Sequence, residues 1–444
     1  MNVTRFLPAI LMSCCVLLIL SSLGACRSSR VFPYNADWPS AIFRGEPFST
    51  SHAGLLVIDP ATEEVLIDYN SGRWFTPASN VKLFTTLACL YILGDTVTSL
   101  HYGITGDTLF FSGAADPSFL HPGFARQPAF DLLGREGLHL VYLPRIVSGG
   151  RFGPGWAWDD YQASFSPERS AMPAYGNCAW FVRGEANDSI AVTPNHFRKG
   201  TAINPGDSAT TTHITRDEWH NRFVMVLSPG SDAFSISLPF VYSDSLLCRL
   251  LSDTLRRSVS IAEEAEITLR AHPGIPLDSL LRPMLTDSDN FMAEQLLLMC
   301  ADRISGNLDA RLAIDWMMDG PMAEHRESLM WVDGSGLSRY NQASPAVVVS
   351  VLKKIHQRLP RERWALLLPI CDLALPADAV KTNPASIIHA KSGSMRQVFN
   401  LSGYLYAGSG RLLIFSFMCN HSEKNTKQMH ALMGKILSEI STRY

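Results

Sequence analysis

The sequence predicts an α+β fold: one antiparallel sheet flanked by helices, interrupted by a large β-rich insertion. Three observations predict it. Residues 53–69 read as a hairpin, with apolar runs on either side of Asp59-Pro60. The chain ends in three strand-like runs, 386–394, 399–407 and 411–420, followed by a helix-like run at 424–441. Between 97 and 272, short apolar segments alternate with Gly, Pro, Asp and Ser, the texture of strands and loops. The early hairpin and the terminal strands can share one sheet, with the helices layered beside it.

The elements follow in order. Arg5 precedes an apolar stretch from Phe6 to Leu23, which runs into Leu23-Gly24-Ala25-Cys26. A positive start, an apolar middle and small residues at the end read as a secretory signal over 1–26. The ending resembles a bacterial lipobox, which implies lipidation at Cys26. The competing reading is a membrane-spanning anchor, for which the apolar stretch is nearly long enough. Either reading holds the rest of the chain outside the cytoplasm, and lipid anchoring in the periplasm is the expectation.

After the hairpin, Thr76-Pro77-Ala78 leads into a helix. Leu83, Leu87, Leu90 and Tyr91 share its apolar face, and Gly94 can end it. Helical spacing returns over 277–301, where Pro283 argues against one unbroken helix and Ser288 starts a second. Residues 309–319 and 344–357 are further helices.

Composition narrows the function classes. The chain has 444 residues, 46% hydrophobic and 18% charged, with a net charge of −3. That permits a large core, and the absence of a long basic run argues against nucleic-acid binding. The nine cysteines form no CxxC pair, so zinc ligation is not expected and no other metal or cofactor is indicated. Those of the mature chain are scattered through apolar runs, as buried thiols are, although an oxidising compartment permits disulfides.

Three short motifs carry chemistry. Ser79 and Lys82 lie three apart on a helix, which puts them on one face near its N-terminus. A serine hydroxyl needs a base, and a desolvated lysine amine can be one. The helix N-terminus favours developing negative charge. A capping serine followed by a surface lysine would look the same. Ser288-Asp289-Asn290 offers a hydroxyl for proton relay and an amide for a peptide group; it also reads as a plain helix cap. Lys391-Ser392-Gly393-Ser394 lies in a predicted strand. Gly393 admits a close ligand backbone, and an edge strand there can pair with an extended peptide. Lys391 and Ser392 can then hold a carboxylate; a solvent-facing lysine before a turn is the alternative. His389, two residues earlier, is a groove wall or exposed.

The order of the three motifs resembles the penicillin-recognising serine acyltransferases. Within them the chain is similar to the D-alanyl-D-alanine carboxypeptidase/endopeptidase family, the class C low-molecular-mass penicillin-binding proteins. The similarity covers Pro77-Ala78-Ser79-Asn80-Val81-Lys82-Leu83, Ser288-Asp289-Asn290 with Ala293-Glu294, Asp333-Gly334-Ser335-Gly336-Leu337-Ser338-Arg339, and Ala390-Lys391-Ser392-Gly393-Ser394 with Asn400-Leu401-Ser402-Gly403-Tyr404. Gly113-Ala114-Ala115-Asp116-Pro117 looks like a degraded GGGDP. Ser392 stands where the family usually has Thr, and the hydroxyl is kept.

The resemblance implies a β-lactamase/transpeptidase-like catalytic domain over 27–96 and 273–444, with the insertion at 97–272. It implies that Ser79 attacks the bond between the terminal D-alanines of a peptidoglycan stem peptide and that Lys82 takes its proton. Ser288 relays the proton, Asn290 positions the peptide, and Lys391 and Ser392 bind the carboxylate. The N–H groups of Ser79 and Ser394 form the oxyanion hole. Peptidoglycan peptides are the implied substrates and β-lactams the covalent inhibitors. The alternative is a non-catalytic peptidoglycan-binding lipoprotein on the same scaffold.

Overall fold

The computed structural model describes residues 42–185, 189–206, 211–229, 233–371 and 388–444. The proposed signal, Cys26 and both readings of the N-terminus lie outside the described residues. Residues 42–45 make a helical turn, with Gly45 N–H donating to Ile42 O at 3.2 Å.

Near-continuous apolar runs set the central sheet. Strands β1 (His52–Ile58) and β2 (Val65–Tyr69) form the early hairpin. Strands β3 (Ile388–Met395), β4 (Val398–Tyr406) and β5 (Leu412–Asn420) form the terminal meander. The five strands lie in the order β3-β4-β5-β1-β2, antiparallel throughout. Leu55 faces Phe417 and Leu401 faces Phe417 across the two central ladders. β5 is buried after its first residue and β4 up to its last, so both faces of the sheet are covered.

Helix α1 (Val81–Ile92) is buried continuously from Val81 to Cys89. A helix apolar all round belongs in an interior, and Lys82 is buried with it. Pro283 lies inside α2 (Leu277–Thr286) rather than ending it, and the break comes later, over 287–289. Helix α3 (Asn290–Ser305) then starts with Asp289 as its N-cap, its carboxylate accepting from Met292 N–H at 2.9 Å. Helix α4 (Ala310–Asp319) packs on α3, and α5 (Pro345–Arg358) packs on β5 and β1. Helix α6 (Thr426–Arg443) closes the chain against β4.

Residues 97–272 are β-rich, as the alternation predicts. They supply most of a second five-stranded sheet and two three-stranded ones. They also contain a helix, Asp244–Leu255, that the β-rich texture hides; Leu246, Leu247, Leu250 and Leu251 give its buried face. The buried apolar residues fall into two clusters, one of them drawn entirely from positions between Leu100 and Leu251. Strand Thr96–Thr105 pairs with Arg270–Pro276, so the two ends of the segment lie side by side.

None of the six cysteines among the described residues is in a disulfide. Cys89 and Cys300 approach to 3.9 Å between α1 and α3, both fully buried. Leu87 lies in the same core with no exposed surface. Leu87→Ala is expected to cost about 2–5 kcal/mol, transfer plus cavity, read as a lower urea midpoint at unchanged m-value.

Candidate active site

Lys82 anchors the site. Its side chain has no exposed surface. Its Nζ lies 3.1 Å from Ser79 Oγ, 2.6 Å from Asn290 Oδ1 and 2.7 Å from Ser335 O. The last two can only accept. The serine hydroxyl can accept from an ammonium or donate to a neutral amine, so both protonation states are satisfied. Burial pushes the Lys82 pKa down to about 7, helped by the nearby charge of Lys391 and opposed by Asp333, Asp289 and Glu294. The surface-lysine reading of this motif is therefore out.

Ser79 sits in a short 3-10 turn, Ala78–Asn80, that feeds α1. Ala78 before it has φ 47°, left-handed for a residue with a Cβ. Side chains of the sheet hold this turn. Thr76 N–H donates to Asn420 Oδ1 at 2.7 Å, and Asn400 Nδ2 donates to Thr76 O at 3.0 Å. Asn80 Nδ2 donates to Ser402 Oγ at 2.8 Å. The nucleophile candidate is thus tied to β4 and β5 from both flanks.

The second motif splits its work. Asp289 caps α3, as an ordinary cap would, while Ser288 has φ 59° and Asn290 turns inward. Both ends of the Asn290 amide are engaged: Oδ1 with Lys82, and Nδ2 donating to Phe165 O at 3.0 Å. The expectation that Asn290 holds a substrate peptide thus meets an amide that already orients the lysine. Ser288 Oγ has no hydrogen bond among the described residues.

Strand β3 is the sheet edge. Pro369–Cys371 covers its first part: Ala390 N–H donates to Pro369 O, and Cys371 N–H to Ile388 O. Among the described residues the edge is open from Lys391 onward. Gly393 packs on the serine turn so closely that a Cβ there would stand 2.5 Å from Pro77 O and 3.2 Å from Ser79 N.

Lys391 is only 2% exposed, against the solvent-facing alternative. Burial lowers its pKa to about 8, and its Nζ donates to Ser392 O at 2.9 Å. The half-buried Ser392 hydroxyl has no partner among the described residues. His389 is neither exposed nor part of this opening. It is buried edge-on to Trp364, with Nδ1 3.2 Å from Leu368 O.

Two carboxylates complete the arrangement. Asp333 folds the 333–341 loop around itself, accepting from Gly336 N–H, Ser338 N–H, Asn341 Nδ2 and Trp156 Nε1. Glu294 Oε1 accepts from Gly334 N–H at 2.9 Å and Ser335 N–H at 2.8 Å. Arg169 Nη1 stands 3.9 Å from its other oxygen. Burial pushes the Glu294 pKa up to about 7. Together they fix the carbonyl of Ser335 against Lys82 and that of Gly334 against Thr85 Oγ1. The sequence gives one signal for Glu294, a carboxylate inside the apolar run Met292–Leu298. It gives none for Asp333 beyond the resemblance.

Acyl transfer is the chemistry open to this geometry: a serine hydroxyl and a lysine amine of depressed basicity, beside a strand edge that carries a second buried lysine, define a serine hydrolase. The chain belongs to the D-Ala-D-Ala carboxypeptidase 3 (S13) family, whose pattern it matches over residues 40–440. It is 23% identical over 407 residues to D-alanyl-D-alanine carboxypeptidase DacB of Haemophilus influenzae, covering 82% of this chain and 84% of that one. It is 25% identical over 435 residues to the D-alanyl-D-alanine carboxypeptidase of Actinomadura sp. (strain R39), covering 86% and 80%. The crystal structure of penicillin binding protein 4 from Haemophilus influenzae shares the fold. Its TM-score is 0.71 at 22% identity, with 91% of this chain and 99% of that one covered.

Gly336 tests the packing. Its φ is 84°, and an added Cβ would stand 1.9 Å from Ala78 O, the residue before Ser79. Gly410 has φ 83° but open space around it. Gly336→Ala is expected to slow acylation of the protein by at least tenfold and to lower Tm. Gly410→Ala should cost only about 1 kcal/mol and leave acylation alone.

Proposed function

We propose that the chain is a serine-type D-Ala-D-Ala carboxypeptidase/endopeptidase that cleaves peptidoglycan stem peptides through an acyl-enzyme on Ser79. The observation that carries it is the buried Lys82 amine at hydrogen-bond distance from Ser79 Oγ. The named carboxypeptidases among the relatives supply the substrate class. A relative of the same fold is known in complex with a β-lactam, which supports β-lactams as inhibitors here.

In the proposed reaction the stem peptide lies along the open edge of β3 from Lys391 onward. Lys391 and Ser392 take its terminal carboxylate. Ser79 Oγ attacks the penultimate carbonyl carbon while its proton passes to Lys82 Nζ. The oxyanion forms between the N–H groups of Ser79 and Ser394. Lys82 returns the proton through Ser288 to the departing D-alanine nitrogen, and water then hydrolyses the ester. Asn290 holds Lys82 in line and, once substrate enters, offers its remaining N–H to the peptide.

We also propose that 97–272 is a separate inserted domain, supported by its own apolar cluster. The secretory signal over 1–26, lipidation at Cys26 and a periplasmic, membrane-tethered location are proposed from the sequence alone.

A fluorescent penicillin is expected to label the protein covalently. Ser79→Ala should abolish the label, and Lys82→Ala should slow it by about 10²–10⁴-fold. An unlabelled wild type would favour the non-catalytic binding reading. Free D-alanine released from a pentapeptide, against cleavage of crosslinked dimers, separates the two hydrolytic activities.

The pH dependence has a definite sign. The base must be neutral, so acylation should rise as pH climbs through about 7, where Lys82 loses its proton. The anchor must be charged, so it should fall above about 8, where Lys391 loses its own. The expected profile of kcat/KM is a narrow bell. Lys391→Ala should slow acylation by about 10²-fold. Because the Lys391 charge helps depress Lys82, the ascending limb should also move to higher pH. An unmoved limb would separate the two lysines.

A further inference from the structure

A second recess, about 790 Å³, lies outside the catalytic cleft. Asp289 lines it, whereas Ser288, Asn290 and Lys82 do not. One wall is the loop from His121 to Arg126, and the other is α2 with the residues just before it. The Trp180 indole forms a third side, and its Nε1 donates to Tyr175 O at 2.9 Å, which fixes the ring. His121 stands edge-on to that indole at 5.8 Å. Its Nδ1 accepts from Gly123 N–H at 3.0 Å, which leaves the proton on Nε2.

Arg126 and Arg282 face the same recess from opposite walls, both exposed. Neither has a hydrogen bond or ion pair among the described residues. Asp287 stands on the same rim and pairs with neither of them. Two free planar cations across an opening match the carboxylates of an extended acidic ligand. A fixed indole beside them suits the apolar face of a sugar or a peptide side chain.

We propose that this recess is a second binding site for a carboxylate-bearing muropeptide, gripped by Arg126 and Arg282 and stacked on Trp180. The proposal rests on the peptidoglycan substrate class argued above. Its occupant is a strand other than the one being cut, since the recess shares only Asp289 with the catalytic motif. Such a grip would favour polymeric or crosslinked substrate over a free pentapeptide.

The test uses the whole protein with Ser79 blocked by penicillin, so that the catalytic cleft is filled. The probe is an N-acetylmuramoyl tripeptide, which lacks both D-alanines. Calorimetry is expected to show saturable binding, weakened at least tenfold in the Arg126→Ala/Arg282→Ala double variant. A chitotetraose, sugar without carboxylate, should bind at least tenfold more weakly than the tripeptide. Penicillin acylation of the double variant should stay within twofold of wild type, because neither arginine touches the catalytic groups. No saturable binding to the blocked protein, or equal binding by the double variant, overturns the proposal. Failure of penicillin to acylate would overturn the functional reading instead, and the same titration on the unblocked chain would then decide the recess.

Discussion

The structure depends on one buried amine. Lys82 has no exposed surface, and a charge there would be costly unless hydrogen-bonded. Its environment answers with two fixed acceptors, Asn290 Oδ1 and Ser335 O, and one hydroxyl of either polarity. Each belongs to a different stretch of chain. The helix bearing the lysine, the start of α3 and the 333–341 loop must therefore meet at one point, or the amine is stranded. Bringing the three together is what the rest of the fold accomplishes.

The means are mostly backbone N–H groups gathered on carboxylates. Asp333 and Glu294 are almost fully buried, and between them they accept from four backbone N–H groups of the loop that carries Ser335. An acidic group buried this way trades water for several donors, a workable exchange only when the loop closes round it. The long segment after α1 takes part as well. Trp156 donates to Asp333, Arg169 approaches Glu294, and Phe165 O accepts from Asn290. Gln295 of α3 binds the same segment at Ala115 O and Ser170 O. Residues between 97 and 272 are thus part of the wall of the site.

The sequence made the sheet legible because both halves of it are written as short apolar runs bounded by turn residues, at 53–69 and at 386–420. It made the order of the motifs legible, and through them the family. Burial was harder. Lys391 reads equally well as a surface lysine, since nothing local says that Pro369–Cys371 will cover the strand up to its neighbour. The helix Asp244–Leu255 was lost in a β-rich texture although its leucines keep helical spacing. Asn290 reads as a substrate ligand, and its hold on Lys82 is not legible in the sequence. Its partners, Lys82 and Phe165 O, lie far away in the chain, and local pattern carries no information on such contacts.

The two lysines show how one field can serve opposite moments of a reaction. Before attack, burial and the charge of Lys391 favour the neutral amine of Lys82, the form able to accept a proton. After attack, that amine carries the proton. The acidic groups Asp333, Asp289 and Glu294 then act in its favour, since they raise its affinity for the proton. In the proposed reaction the substrate carboxylate adds to them by offsetting Lys391. Binding thus removes part of the repulsion that kept Lys82 neutral, at the moment when a charged Lys82 is the product of the proton transfer. The gain is realised in the transition state rather than in the resting enzyme, which is where stabilisation accelerates a reaction.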